Sequence, residues 1–460
     1  MSCRKSGRIA VPLLLVVAVV ALVGFLALAA LRAGPSPEVA VEASAKAIGR
    51  KTAVTVSAAE PSRGLTRLRV ELIQGERREI LADKSYAPRP SWSFWGPRTE
   101  RDRIVVEVGR DAIRGLRAGP ATIRATAERA PAWLRGPGPV TTEIALPVRL
   151  TPPALHLLST FHYLRQGGSE AVVYRVGESA TRDGVRAGSW FFPGRPLPGG
   201  GPLDRFALFA APYDLSDSSR IRLVAADDAG NEAEIPFVDR FQPRRPVRFT
   251  FDLPDSFLGK VVPAILSQTP DFSDRGGLLE NYLGINRDLR KSNADELVAL
   301  AAKSRPAFLW TRPFAPMLNA KVTAPFAEHR TYVYRGKTVD EQDHLGFDLA
   351  VTRAVAVPAS NDGIVVLARY FGIYGNTVVL DHGYGLMSLY GHLSSIDVRE
   401  GQAMKMGDIL GRTGDTGLAG GDHLHFGILL GGLPVDPVEW WDPHWVRDRI
   451  ARKLGWKLGS

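Results

Sequence analysis

The chain has 460 residues, too many for one compact core, with 45% hydrophobic and 23% charged side chains, a net charge of +10 and a single cysteine. Cys3 alone excludes an internal disulfide and a thiolate-held zinc site, so any metal has to be held by His and carboxylate. Nor does the charge indicate nucleic acid: there is no basic-aromatic motif, and residues 321–443 carry nine Lys/Arg against fifteen Asp/Glu.

From Ile9 to Leu31 the sequence is apolar and uncharged, long enough to cross a bilayer as a helix. Arg4, Lys5 and Arg8 precede it, so residues 1–32 are read as a cytoplasmic tip and a single-pass anchor in the cytoplasmic membrane. The remainder is then exported to the periplasmic, extracytoplasmic side. A signal peptide cleaved after Ala27-Leu28-Ala29 is the rival reading, and the length of the run favours retention.

Period-two alternation begins after a Pro/Ala linker. In Leu68-Arg69-Val70-Glu71-Leu72 the apolar residues share one face of a strand and the charged ones the other. Similar stretches separated by Gly/Pro turns predict an immunoglobulin-like β-sandwich over 33–150 and a second β module over 151–245. These are expected to serve as a stalk, either passive or docking an envelope protein partner. The texture over 246–310 is helical, with Pro254 ahead of Phe257, Leu258, Val261 and Val262, and Asn293 with Glu296 as a capping box. This segment is expected to be a helical connector.

Residues 311–443 return to short strands with tight Gly turns and predict a compact antiparallel β module. A basic tail, 444–460, follows. The fold class is therefore mostly β, with a helical connector and an N-terminal helix.

Chemistry concentrates in three short signatures: Asp343-His344-Leu345-Gly346-Phe347-Asp348, Tyr390-Gly391-His392-Leu393 and His423-Leu424-His425. His423 and His425 are two apart in a strand-like context and project from one face. They could bind a metal together, or one could bind while the other works on substrate. His344 and Asp348 are four apart, about 13 Å along an extended strand, so sharing an ion requires a bend near Gly346. No His is followed by Glu, so an HExxH glutamate base is absent and a second histidine has to move the proton. His392 and one member of the His423/His425 pair are the candidates. His156, His162, His329, His382 and His444 are read as structural.

These motifs resemble the lysostaphin-type zinc endopeptidases of the LytM-like family, which cut peptide cross-links in bacterial cell walls. The likeness spans roughly 319–441 and includes the Gly pattern around Asp362-Gly363, Gly375-Asn376 and Asp381-His382-Gly383. It implies one Zn2+ held by His344, Asp348 and His425, with His392 and His423 as catalytic histidines beside the metal's water. All five positions are filled, as in the active members. A tyrosine that precedes the first zinc histidine in some relatives has no clear match; Tyr332 and Tyr334 lie nearby at other spacings. Arg330 is a candidate for meeting a substrate carboxylate.

The expected function is thus a membrane-anchored metalloendopeptidase acting on peptidoglycan peptides. The alternatives are an envelope regulatory protein that activates another hydrolase, and a lipoyl-like carrier or adaptor. A stalk or connector segment covering the metal would make the enzyme latent, and Asn319 is the residue considered for that.

Overall fold

The computed structural model describes residues 10–31, 36–88, 90, 96–131 and 138–456. The apolar run is helical over Ala10–Leu31. Side chains are described for residues 13–27 of it. Among the described residues no helix is long and apolar enough to cross a membrane.

Two compact units follow, one formed by Met1–Pro153 with Ala226–Glu232, the other by Ala154–Ala225 with Ala233–Ser460. In the first, a three-stranded sheet (Glu38–Ala43, Thr52–Ala59, Arg101–Val108) and a four-stranded sheet (Arg77–Ser85, Leu65–Gln74, Gly119–Arg129, Val140–Val148) share one apolar core. Alternation builds it: Val54, Val56, Leu68, Val70, Ile123 and Ala125 are wholly buried, while Arg69 and Glu71 between them face outward.

The second unit contains the second β module, the connector, the C-terminal β module and the tail, which the sequence reading takes as separate spans. Ser169–Val176 is buried at nearly every residue, pairing with Asp204–Ala210 and Leu155–Leu157. Its core runs without interruption from Phe206 and Phe209 through Trp310, Phe326 and Tyr390 to Trp440 and Ile450.

The basic tail packs into this core over its described part. Val446, Ile450 and Ala451 are buried, and Lys453 Nζ lies 3.1 Å from both Glu170 Oε1 and the Ala171 carbonyl. Nearby, the Glu439 carboxylate accepts from the Ser169 amide at 2.7 Å.

The connector also departs from expectation at its start. Val247–Asp252 is a strand, parallel to Glu328–Tyr334, which pairs antiparallel with Lys337–His344. Helices follow at Asp255–Gln268, with Pro254 as N-cap, at Leu278–Gly284 and at Arg290–Ala302. The last two are continuous through Ile285–Leu289. Asn293 is consequently inside a helix and caps nothing. Its buried amide oxygen accepts from the Ile373 amide at 3.1 Å, which fixes the turn Gly372–Tyr374.

The C-terminal module is built on an antiparallel sheet. Its order is Lys321–Ala324, Phe347–Ala350, Leu424–Leu430, Leu386–Leu393, Asn376–Gly383, Gly363–Tyr370, Ala403–Met404, with Leu433–Val435 also on Leu424–Leu430.

Candidate metal centre

The sheet order brings distant signatures together. Asp348 is directly opposite His425 on neighbouring strands, and Gly391, next to His392, is opposite His425 on the other side. His344 ends its strand at the edge of a bend through Leu345 and Gly346, and Phe347 begins the next. The bend turns His344 back towards Asp348. Gly346 is required there by crowding, since a Cβ would lie 2.6 Å from His425 Nε2 and 2.8 Å from the Phe426 carbonyl oxygen.

Three donor atoms converge. His344 Nε2 is 2.9 Å from Asp348 Oδ1 and 3.1 Å from His425 Nδ1, and His425 Nδ1 is 3.0 Å from the same Asp348 oxygen. The other nitrogen of His344 faces the Pro325 carbonyl at 3.2 Å, an acceptor only, so Nδ1 carries the proton and Nε2 presents its lone pair. Two imidazole nitrogens and a carboxylate oxygen crowd around one point, where a bound cation would replace the protons they share. Two His and one Asp at this spacing suit zinc with a position left open. The donors fit the metal that the motifs imply.

Electrostatics agree. Burial would raise the Asp348 carboxyl, but the adjacent His344 and hydrogen bonds with His344, His423 and His425 hold it well below the usual carboxylate range. Burial pushes His425 down to about 4, keeping the imidazole neutral. Asp348 Oδ2 is held at 2.9 Å by Arg330 Nη2, whose Nε goes to Glu328 at the same distance.

His392 and His423 stand beside this triad, with ring centroids 4.8 Å apart. His392 Nδ1 donates to the Thr416 carbonyl at 2.7 Å and His423 Nδ1 to the Gly421 carbonyl at 2.8 Å. Each Nδ1 is thereby engaged, which leaves Nε2 of His392 presented to the cavity and Nε2 of His423 3.5 Å from Asp348 Oδ1. His392 holds this position with a left-handed φ of 61°, which costs backbone energy in a non-glycine residue. Burial, with His423 and His425 nearby, keeps His392 well below the usual imidazole range. His423 is raised: burial lowers it, but Asp348 outweighs that.

A cavity of 530 Å³ opens over these groups, and all five motif residues line it together with Arg330 and Tyr332. Tyr334 and Asn319 do not. The Tyr334 hydroxyl donates to Asp255 at 2.8 Å. Tyr332 is buried, stacked on Phe251 and edge-on to Tyr282. Arg330, read from sequence as a carboxylate receptor, has both arms engaged by Glu328 and Asp348, so it orients a ligand of the metal. The remaining histidines are elsewhere; His382, for example, is fully buried between the Asp362 carbonyl and Ser388 Oγ, both at 2.7 Å.

Sequence reasoning missed the rest of the wall: Phe251, Leu253, Phe257, Tyr282 and Arg290 from the connector, and Tyr374, whose ring centroid is 5.4 Å from that of His425. Nothing in the connector marks it as part of a site. Tyr374 stands in the Gly-rich turn already noted, the one available signal.

Residues 342–437 match the sequence model of Peptidase family M23. The DD-carboxypeptidase/endopeptidase Mpg of Neisseria meningitidis is 32% identical over 124 residues, 27% of this chain and 28% of that protein. The peptidoglycan DD-endopeptidase ShyA of Vibrio cholerae is 40% identical over 96 residues, 21% of this chain and 22% of that protein. The chain thus spans about a quarter of the length of these curated relatives. An M23 peptidase structure from Pseudomonas aeruginosa, 21% identical, covers 61% of this chain and 95% of its own, with a TM-score of 0.37. The family match, 342–437, includes His344, Asp348, His392, His423 and His425.

Proposed function

We propose that this chain, which carries a domain of peptidase family M23, is a zinc-dependent endopeptidase of cell-wall peptide cross-links. The observation that carries the reading is the convergence of His344, Asp348 and His425, with two further imidazoles presented to the same cavity. The names of the relatives, both DD-endopeptidases, favour a direct cross-link between D-centres as the bond cut.

Zinc bound by the triad would polarise the scissile carbonyl and lower the pKa of water from about 16 towards 7. The protein's part is orientation and proton movement. Arg330 holds the outer oxygen of Asp348, and the Pro325 carbonyl holds His344 in the correct tautomer. His392 and His423 exchange protons through Nε2, one taking the proton of the attacking water and the pair supporting the oxyanion and the leaving amine. Apolar side chains, among them Phe251, Phe257 and Ile373, line the cavity beside these polar groups.

The uncharged apolar run Ile9–Leu31, with Arg4, Lys5 and Arg8 before it, favours a membrane anchor, with the metal centre outside the cytoplasm and the two sheets over 33–150 as an immunoglobulin-like spacer or docking surface for an envelope partner. Fractionation of cells with alkaline or salt washes checks the anchor. Mass spectrometry of purified wall fragments, digested with and without chelator, tests the activity. Fragments left intact by the zinc-loaded protein would reject the reading.

A further inference from the structure

Two guanidinium groups line the cavity over the metal centre, and they are employed differently. Arg330 is neutralised by Glu328 and Asp348. Arg290, half-buried at the start of the helix Arg290–Ala302, gives its Nε to the Asn286 carbonyl at 3.0 Å and its Nη2 to Asn286 Oδ1 at 2.6 Å. Both acceptors are neutral. Among the described residues no carboxylate lies within 4.0 Å of Arg290. A partly desolvated cation held in place by uncharged groups is rare unless an anion visits it.

The setting narrows what that anion is. Phe251, Phe257 and Tyr282 line the same cavity as Arg290, and the cavity is of the size that one small ligand fills. A group bound at Arg290 therefore belongs to the same substrate whose amide lies at the metal. In an ordinary polypeptide every internal α-carboxyl is consumed as an amide. A glycine bridge likewise offers no charge. A direct cross-link between D-centres differs, because the carbon bonded to the scissile nitrogen still carries a free carboxylate.

Resting on the endopeptidase reading, we propose that Arg290 is the anchor for a substrate carboxylate adjacent to the scissile amide. The connector is thereby a specificity wall of the site, and Arg290 takes the role that the sequence assigned to Arg330.

The test uses the full chain, zinc-loaded, and two synthetic cross-linked peptides that differ only in a free carboxylate or a carboxamide next to the scissile nitrogen. Turnover is followed in the wild type, R290Q and R290K, with zinc content measured in each. Binding of both peptides is measured by calorimetry in an H392A background. The wild type is expected to prefer the carboxylate peptide by about 10- to 100-fold, the usual value of a charge-assisted contact. R290Q should bring that ratio close to one, chiefly through KM, while R290K restores part of it and zinc stays bound. Equal treatment of the two peptides by the wild type, or an unchanged preference in R290Q, overturns the assignment. If neither peptide is cut, the endopeptidase reading fails, and the calorimetric preference still decides the case for Arg290.

Discussion

Arg330→Met probes the centre without touching a metal ligand. The guanidinium joins two buried carboxylates, Glu328 and Asp348, by charge-assisted bonds of 2.9 Å each, and the three side chains are between 7% and 16% exposed. Each such bond is worth about 1.5–3 kcal/mol, and removing one partner of a buried ion pair costs about 3–5 kcal/mol. The two bonds belong to one group and do not add fully, so a loss of roughly 4 kcal/mol is expected in metal-free protein. At about 2–4 °C per kcal/mol for a unit of this size, the melting temperature should fall on the order of 10 °C. Zinc affinity should drop about 10- to 100-fold, because the outer oxygen of Asp348 is no longer held. Circular dichroism melts of the apo form and chelator competition for zinc measure the two effects. R330K should lie between, since one ammonium cannot reproduce the fork that spans both carboxylates. Unchanged melting and unchanged zinc affinity in R330M would refute the reasoning.

His425→Ala should abolish stoichiometric zinc, whereas His392→Ala should keep zinc and lose about 10²- to 10⁴-fold in turnover; full wall-degrading activity in either counts against the roles given. Gly346→Ala places a methyl 2.6 Å from the His425 ring and should weaken zinc binding although every donor is retained, as read by chelator competition. Burial pushes the Glu439 carboxyl up to about 8. Between its unfolded value near 4.5 and that figure the native state binds the extra proton, so stability falls as pH rises through this window, by at most about 1.4 kcal/mol per pH unit. Melting E439Q and the wild type from pH 4.5 to 8 should show a shallower decline in the variant; parallel curves would remove Glu439 as the source.

The strands with clean alternation, such as Leu65–Gln74, and the three histidine signatures were legible because local spacing encodes them. Even the bend at Gly346 could be inferred, from the length that an extended His344–Asp348 segment would span. What could not be read depends on partners far along the chain. Val247–Asp252 looks like the approach to a helix, and only its parallel pairing with Glu328–Tyr334 makes it a strand. Asn293 and Glu296 form a passable capping box, overridden because the helix before them continues and Ile373 claims the amide. Arg330 and Arg290 are chemically identical in sequence. Which one is neutralised is decided by Glu328 and Asp348, a matter of packing.

The docking of the C-terminal segment bears on how the protein is made. Ser169 and Glu439, bonded in the finished structure, are 270 residues apart, and Ala171 and Lys453 are 282 apart. During synthesis the strand Ser169–Val176 emerges long before the groups that cover it, and closing contacts of such separation are slow to form. The part of the strand that the C-terminal segment covers therefore stays open until the chain beyond Trp440 arrives. The same contact couples the last step of folding to the β module that carries the metal centre, so that site is completed late.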